Sequence, residues 1–115
     1  MEDSKGLELF KEVVAKTKAG RIRWEPAAIE SEYFAVLPGG FSIVLLTWID
    51  RQRWGNAENH FVLALRSQGR EIMRVTTDVS GVTWADMNEL YELARRQALA
   101  VDAQVNQLLV ELSKL

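Results

Sequence analysis

Few side chains in this sequence are suited to chemistry. His60 is the single histidine, and there is no cysteine. Zinc and related metal sites need several histidine or cysteine ligands at characteristic spacings. One imidazole without a thiolate does not assemble such a site, so we expect no metal and no cofactor. A lone histidine at a strand start is usually a surface or edge residue.

Three carboxylates recur at three-residue steps near the start of a predicted helix: Asp86, Glu89 and Glu92. This spacing suits a hard cation, but acidic residues near a helix start more often complement the helix dipole in solvent. Gly39-Gly40 precedes a strand rather than a helix, so it predicts a turn and not a phosphate-binding loop. The chain also lacks a nucleophile elbow. The sequence therefore predicts a protein that is not an enzyme.

Five arginines could form a modest basic patch: Arg66, Arg70, Arg74, Arg95 and Arg96. They would serve either to contact phosphate or RNA, or as ordinary surface charge. The whole chain has 14 basic and 16 acidic residues, a net charge of −2. Nucleic-acid binding usually needs a basic excess, so we do not expect it here. A small-ligand or nucleotide-binding protein that uses these arginines is the alternative function.

Length and composition predict one domain over residues 1–115, with 48% hydrophobic and 26% charged residues. The first residues do not resemble a signal peptide. The longest apolar stretch, Phe41 to Ile49, is too short to cross a bilayer. The absence of cysteine fits a reducing compartment. We expect a cytoplasmic protein without membrane contact.

Hydrophobic spacing predicts an α+β fold, with an N-terminal helix, a four- to five-stranded antiparallel meander and a long C-terminal helix. Leu7, Phe10 and Val14 recur at helical steps, and Gly20 is suited to end that helix. Two β-rich runs around Pro38-Gly39-Gly40 predict a hairpin. The predicted elements are a helix over 4–19, strands over 21–25, 32–37, 41–49, 60–66 and 70–77, and a helix over 84–114.

The predicted final helix is longer than the sheet. Thr83 to Asp86 resembles a capping box, and no Gly or Pro follows it. About 30 residues give a helix of roughly 45–48 Å. A seven-residue strand spans only about 23 Å. The helix therefore extends past the sheet unless it breaks near Val101-Asp102.

Four sequence segments carry a resemblance to known proteins: Thr17 to Gly20, Trp24-Glu25-Pro26, Gly69 to Ile72, and Leu90 to Arg96. In this order they resemble a group of small uncharacterised bacterial and phage proteins. The resemblance covers most of the chain and implies the same helix, meander and helix arrangement. Its motifs are structural, so it supplies no catalytic residues.

A heptad seam follows the final helix: Ala94, Ala98, Val101, Val105, Leu108, Leu112 and Leu115. The seam either packs on the protein's own core or pairs with another copy or another chain. Each Leu or Val left in water would forgo roughly 1.5–3 kcal/mol. We assign an oligomer interface to the distal part of the seam, Val101, Val105, Leu108, Leu112 and Leu115.

The strand over 41–49 is apolar on both faces. One face has Ile43 and Leu45, and the other has Val44, Leu46 and Trp48. Antiparallel sheets usually turn one polar face to solvent. Helices on both faces or a curled sheet would explain the pattern. Otherwise the second face is an interface.

A polar loop over 50–59 displays a tryptophan between arginines and a glycine. Arg51, Arg53 and Trp54 are the predicted partner-binding residues, because Trp and Arg are enriched at binding hot spots. Alternatively, Trp54 folds back on the sheet edge with an arginine stacked on it. These three features together predict a non-enzymatic protein-interaction module that forms a homo-oligomer. Such modules include adaptors, immunity proteins and inhibitors of defence systems.

Overall fold

The computed structural model describes residues 2–51 and 57–115, and these form an α+β fold, as predicted. The elements in chain order are α1 (Glu2–Lys18), β1 (Glu25–Pro26), β2 (Glu32–Val36), a 3-10 turn (Pro38–Gly40), β3 (Phe41–Arg51), β4 (Ala57–Ser67), β5 (Arg70–Val75), α2 (Trp84–Ala98) and α3 (Val101–Ser113). In this described part, the strands form one antiparallel sheet in the order β1-β2-β3-β4-β5. The predicted meander is confirmed.

Helix α1 has its predicted apolar side and its predicted end. Phe10, Val13 and Thr17 are buried at helical spacing. Gly20 adopts a φ of 73°, a conformation that favours glycine and stops the helix. The chain then turns back toward the sheet.

The predicted strand over 21–25 is wrong in all but its last residue. Only Glu25 and Pro26 pair with β2, opposite Phe34 and Tyr33. The alternation that suggested a strand comes from burial of Ile22 and Trp24 in the core, without a backbone ladder. Pro26 lies within the strand because an edge position does not need its missing N–H.

Strands β3 and β4 form a longer hairpin than the sequence predicts. Their pairing continues past Trp48 to Arg51 opposite Ala57, so much of the predicted loop over 50–59 is strand. Backbone hydrogen bonds support such an arm whatever the polarity of its side chains. The tight turn between β4 and β5 places Gln68 and Gly69 at positive φ, as a two-residue hairpin turn requires.

The final helix is divided in two, which corrects the continuous helix predicted over 84–114. α2 begins as predicted, because the Thr83 hydroxyl accepts a hydrogen bond from the Asp86 amide at 3.1 Å. It ends at Ala98. Ala100 adopts a left-handed conformation with φ 49° and ψ 45°, and α3 starts immediately after it. The break falls close to the predicted alternative near Val101-Asp102.

Both α1 and α2 pack on one face of the sheet, which we call the inner face. It carries Ile43, Leu45, Phe61, Leu63 and Val75, which are buried in one core with the helices. The opposite face, called the outer face, carries seven apolar residues: Phe34, Val36, Val44, Leu46, Val62, Ala64 and Ile72. None of these seven belongs to that core. Of the explanations considered for the two-sided strand, the one with helices on both faces is therefore wrong for the described residues.

Candidate interaction surface

The direction of α3 is set by the short connection from α2. Across it, the guanidinium of Arg96 contacts the carboxylate of Asp102 at 3.1 Å. The side-chain amide of Gln104 donates to the carbonyl of Leu99. Leu99 itself packs against the core. These contacts hold the first turn of α3 to the end of α2 while the rest of the helix leaves the domain.

No residue of α3 is buried. Val101 is half-buried at the base of the helix, and the other predicted interface residues are exposed. The exposed fractions are 48% for Val105, 55% for Leu108, 51% for Leu112 and 99% for Leu115. The first two members of the predicted seam behave differently, because Ala94 is fully buried and Ala98 packs partly on the core.

Sequence reasoning missed two further exposed residues on α3. Leu109 and Val110 are each more than half exposed. Leu109 lies beside the seam and widens it, whereas Val110 lies on the other side of the helix. The sequence does contain three consecutive apolar residues here, Leu108, Leu109 and Val110. A heptad pattern includes only Leu108, so it does not identify the other two.

The helix α3 has little to stabilise it within one chain. An isolated helix of about 12–15 residues is marginal in water. α3 has 13 residues and packs chiefly on the end of α2. The radius of gyration of the chain is 16.2 Å, against about 13 Å for a compact domain of this length. The projecting α3 and the long β3–β4 hairpin both contribute to this extension.

The outer face of the sheet is a second apolar surface. Cross-strand pairing forms two adjacent rows, with Phe34, Val44 and Ala64 in one and Leu46 with Val62 in the next. Val62 and Ala64 are buried between neighbouring strands, while Phe34, Val44 and Leu46 are half-buried. Val36 and Ile72 are exposed toward the rim. In the described residues, no helix packs on these rows.

A third apolar surface is a groove of about 500 Å³ between α1 and the end of the sheet. Its apolar lining residues are Leu9, Val13, Ile22, Leu37, Pro38, Phe41 and Leu65. Glu12, Lys16 and Arg21 add charge around it. The groove joins segments far apart in the chain, so no local sequence pattern reveals it.

The predicted partner-binding loop is only partly described. Arg51 is the last residue of β3. Arg53 and Trp54 lie outside the described residues. The partner-binding role of these three residues therefore stays a prediction.

The arginines of the predicted basic patch mostly have local partners. Arg74 contacts Glu71 at 2.7 Å, and this hydrogen bond raises the pKa of Arg74. Arg95 contacts Glu92 at 3.8 Å, and Arg96 is held by Asp102. Arg66 donates to the carbonyl of Gly69 at 2.7 Å. Side chains engaged in this way are less available to a phosphate group.

The carboxylates of α2 also have basic neighbours. Glu89 contacts Lys18 of α1 at 2.7 Å and so links the two helices. Among residues 2–51 and 57–115, no three histidine or carboxylate side chains are grouped closely enough to hold a metal ion. None of the helices described is long and apolar enough to cross a membrane.

Comparison with known protein families, curated proteins and solved structures finds no match for this chain. The resemblance to small bacterial and phage proteins therefore stays a prediction. Any function must be inferred from the surfaces of the molecule itself.

Proposed function

We propose that this chain is a non-enzymatic protein-interaction module that forms a homo-oligomer through the apolar face of α3. This surface consists of Val101, Val105, Leu108 and Leu112, with Leu109 at its edge and Leu115 just after the helix ends. An adaptor, an immunity protein or an inhibitor of a defence factor would use such a module. The absence of cysteine favours a reducing compartment such as the cytoplasm.

The observation that carries the proposal is that α3 is amphipathic and has no buried residue. Its apolar face would lose roughly 1.5–3 kcal/mol per Leu or Val if it remained in water. The polar residues Asp102, Asn106 and Ser113 lie together on another side of the helix. A helix with one apolar side and no core of its own is typical of an element that binds another chain.

The test is the effect of one charge placed on either side of α3. Leu112→Glu should lower the association constant at least about 10-fold, equal to about 1.4 kcal/mol, because burying a carboxylate in an apolar interface is costly. Asn106→Glu adds the same side chain away from the apolar face and should leave association unchanged. Size-exclusion chromatography with light scattering over a concentration series measures both effects.

A wild-type chain that is monomeric throughout the accessible concentration range would contradict the homo-oligomer. Equal effects of Leu112→Glu and Asn106→Glu would show that general charge, rather than the apolar face, controls assembly. Circular dichroism of both variants establishes that each retains its fold.

A second candidate function is the binding of a small apolar ligand in the groove beside α1. Its volume lies within the usual range for small-molecule sites, about 300–1,000 Å³. Lys16 is paired with Glu12 at 3.8 Å, so Arg21 is the cation beside the groove that favours an amphiphile with an acidic group. Thermal unfolding with a series of long-chain carboxylates should show stabilisation that Phe41→Glu removes and Thr77→Glu retains. Identical shifts in both variants would exclude this groove.

A further inference from the structure

We propose that the junction between α2 and α3 is a conformational switch that controls assembly. The junction bent at Ala100 is the form of the free chain. In the assembled form, α2, the junction and α3 make one straight helix over residues 84–113. The inference rests on the proposed function, because it names what regulates the same apolar face of α3.

The sequence of the junction favours a continuous helix. No Gly or Pro occurs between Thr83 and Leu115, and alanine, the residue at position 100, has the highest helix propensity. Leu99 keeps a right-handed conformation, with φ −90° and ψ −1°. Among the described residues of α2, the junction and α3, Ala100 is the one with a positive φ. A backbone rotation at Ala100, with a smaller adjustment at Leu99, therefore separates the bent form from a straight helix.

An exposed ion pair holds the bent form. The guanidinium of Arg96 lies 3.1 Å from the carboxylate of Asp102, across the junction. In a continuous helix, residues three or four apart are neighbours, whereas residues six apart lie on different sides and about 9 Å apart along the axis. Arg96 and Asp102 therefore form this pair in the bent chain and lose it when the helix straightens.

A side-chain amide occupies the carbonyl of Leu99 in the bent chain. In a continuous helix, this carbonyl accepts a hydrogen bond from the backbone amide of residue 103. In the bent chain, the side-chain amide of Gln104 donates to it instead. Both this contact and the ion pair lie at the surface. Exposed ion pairs contribute little to stability, so a partner that binds the straight form better can reverse the balance.

The straight form has a longer apolar side than the bent form. α3 alone has 13 residues, fewer than two heptads, and a helix of this length is marginal in water. When α3 is joined to α2, it extends a helix that is already formed and packed, so it needs no nucleation of its own. The joined helix has one seam at alternating four- and three-residue steps: Ala94, Ala98, Val101, Val105, Leu108 and Leu112.

The two parts of the joined seam have different roles. Ala94 is fully buried and Ala98 packs on the core, so this part holds the helix on its own domain. The part from Val101 to Leu112 has no buried residue. Heptad spacing is the pattern by which one helix packs on another copy of itself, so a second copy is the partner that fits this part. The bend interrupts the seam, and bent chains therefore assemble less well.

Ala100→Gly tests the switch, because glycine adopts the left-handed conformation without steric cost and so favours the bent form. We expect its association constant to be lower than that of Ala103→Gly by at least about 10-fold. Ala103→Gly is the matched control, because Ala103 is an exposed residue of α3 away from the apolar face and has no positive φ. Sedimentation equilibrium measures both constants. Equal constants for the two variants would overturn the inference.

Removal of the ion pair should act in the opposite direction. Asp102→Asn weakens the contact with Arg96 and should raise the association constant by about 2- to 5-fold. Glu111→Gln removes the same charge from α3 and is the matched control. The contact of Glu111 with Lys114 at 3.5 Å spans three residues, so it fits a bent and a straight chain alike. An equal rise in both variants would indicate a general effect of charge and contradict the role of the pair.

Distances between two spin labels report the form of the junction directly, because the wild-type chain has no cysteine. Labels on Ala85→Cys in α2 and Asn106→Cys in α3 are about 32 Å apart along a straight helix and closer in the bent chain. Doubly labelled chains are mixed with excess unlabelled wild type, so that pulsed electron paramagnetic resonance measures distances within one chain. Assembly should lengthen this distance to about 32 Å.

The outcomes separate this inference from the proposed function. Oligomers that keep the label distance of the free chain would overturn the switch and leave the homo-oligomer in place. A free chain that already has the straight-helix distance would also overturn the switch. Wild-type samples that light scattering shows to be monomeric at every accessible concentration would overturn the proposed homo-oligomer itself.

Discussion

At the scale of single residues, the most informative polar contact lies inside the core. Thr17 is fully buried, and its hydroxyl accepts a hydrogen bond from Nε1 of Trp24 at 3.0 Å. The side-chain amide of Gln97 donates to the backbone carbonyl of Thr17 at 3.0 Å. One residue of α1 thus links the segment before β1 to the end of α2. In the part of the chain that the structure describes, this hydroxyl is the partner of the buried indole N–H.

Thr17→Val should lower the free energy of unfolding by about 1–3 kcal/mol, because it keeps the side-chain shape but leaves the Trp24 N–H buried and unpaired. Trp24→Phe removes that N–H together with part of the buried ring. Adding Thr17→Val to Trp24→Phe should therefore cost much less than Thr17→Val alone. Urea unfolding of the double-mutant cycle measures this coupling, and additive losses would contradict the contact.

Tyr91 connects α2 to a strained turn before β2. Its hydroxyl donates to the carbonyl of Ser31 at 2.9 Å, and Ser31 has a positive φ of 70°. Its ring contacts those of Tyr33 and Phe61. Burial raises the pKa of Tyr91, and the nearby Tyr33 adds to the effect. The neutral phenol is therefore the form that the fold prefers.

The raised pKa of Tyr91 predicts a loss of stability at alkaline pH. The folded state holds this proton more tightly than the unfolded state, whose tyrosine pKa is about 10. The stabilisation is therefore complete below about pH 10 and is lost as the pH rises through the folded-state pKa. In urea unfolding from pH 8 to 11, the free energy of unfolding should fall less in Tyr91→Phe than in wild type. Equal losses would contradict the assignment to Tyr91.

At the scale of secondary-structure elements, the turn at Ala100 decides where the final helix points. A left-handed conformation costs a residue with a Cβ roughly 1–2 kcal/mol, and alanine has the highest helix propensity. Three contacts offset that cost. Leu99 packs on the core, Arg96 pairs with Asp102, and the side-chain amide of Gln104 donates to the carbonyl of Leu99. Local contacts thus override the intrinsic preference of the residue.

Ala100→Gly tests the turn, because glycine adopts the left-handed conformation without steric cost. We expect the free energy of unfolding to rise by zero to about 1 kcal/mol, the gain being reduced by the greater entropy of the unfolded chain. Ala15→Gly, at an exposed position inside α1, should lower it by about 1 kcal/mol. A similar loss in both variants would indicate a continuous helix through residue 100.

At the scale of the whole molecule, the core is complete without α3. The buried cluster contains residues from α1, the sheet and α2, and its last partly buried member is Leu99. Helix α3 therefore adds a surface to a finished domain. Because α3 lies outside the core, we expect substitutions on its surface to change assembly without unfolding the domain.

A chain that ends at Ala100 should fold as a monomer. At concentrations where the full chain is also monomeric, its unfolding temperature should stay within a few degrees of wild type. Its radius of gyration should fall below 16.2 Å toward about 13 Å, because the projecting helix is absent. Calorimetry and small-angle scattering measure the two quantities. An unfolded truncated chain would show that α3 belongs to the folding unit.

The amino-acid sequence alone determined the features that depend on neighbouring residues. Helical spacing and Gly20 specified α1, alternating runs and short turns specified the meander, and Thr83 marked the start of α2. The same local signals placed Val105, Leu108 and Leu112 on one side of a helix. Each of these features follows from periodicity or capping, which a short segment contains completely.

Only the tertiary structure decided which surfaces remain uncovered. Both α1 and α2 pack on the inner face, so no helix among the described residues lies on the apolar rows around Val44 and Leu46. Contacts across the break at Ala100 direct α3 away from the core. These features depend on contacts between segments that are distant in sequence. The local pattern of a helix or strand cannot reveal them, because it is the same whether its apolar face is covered by its own chain or by another.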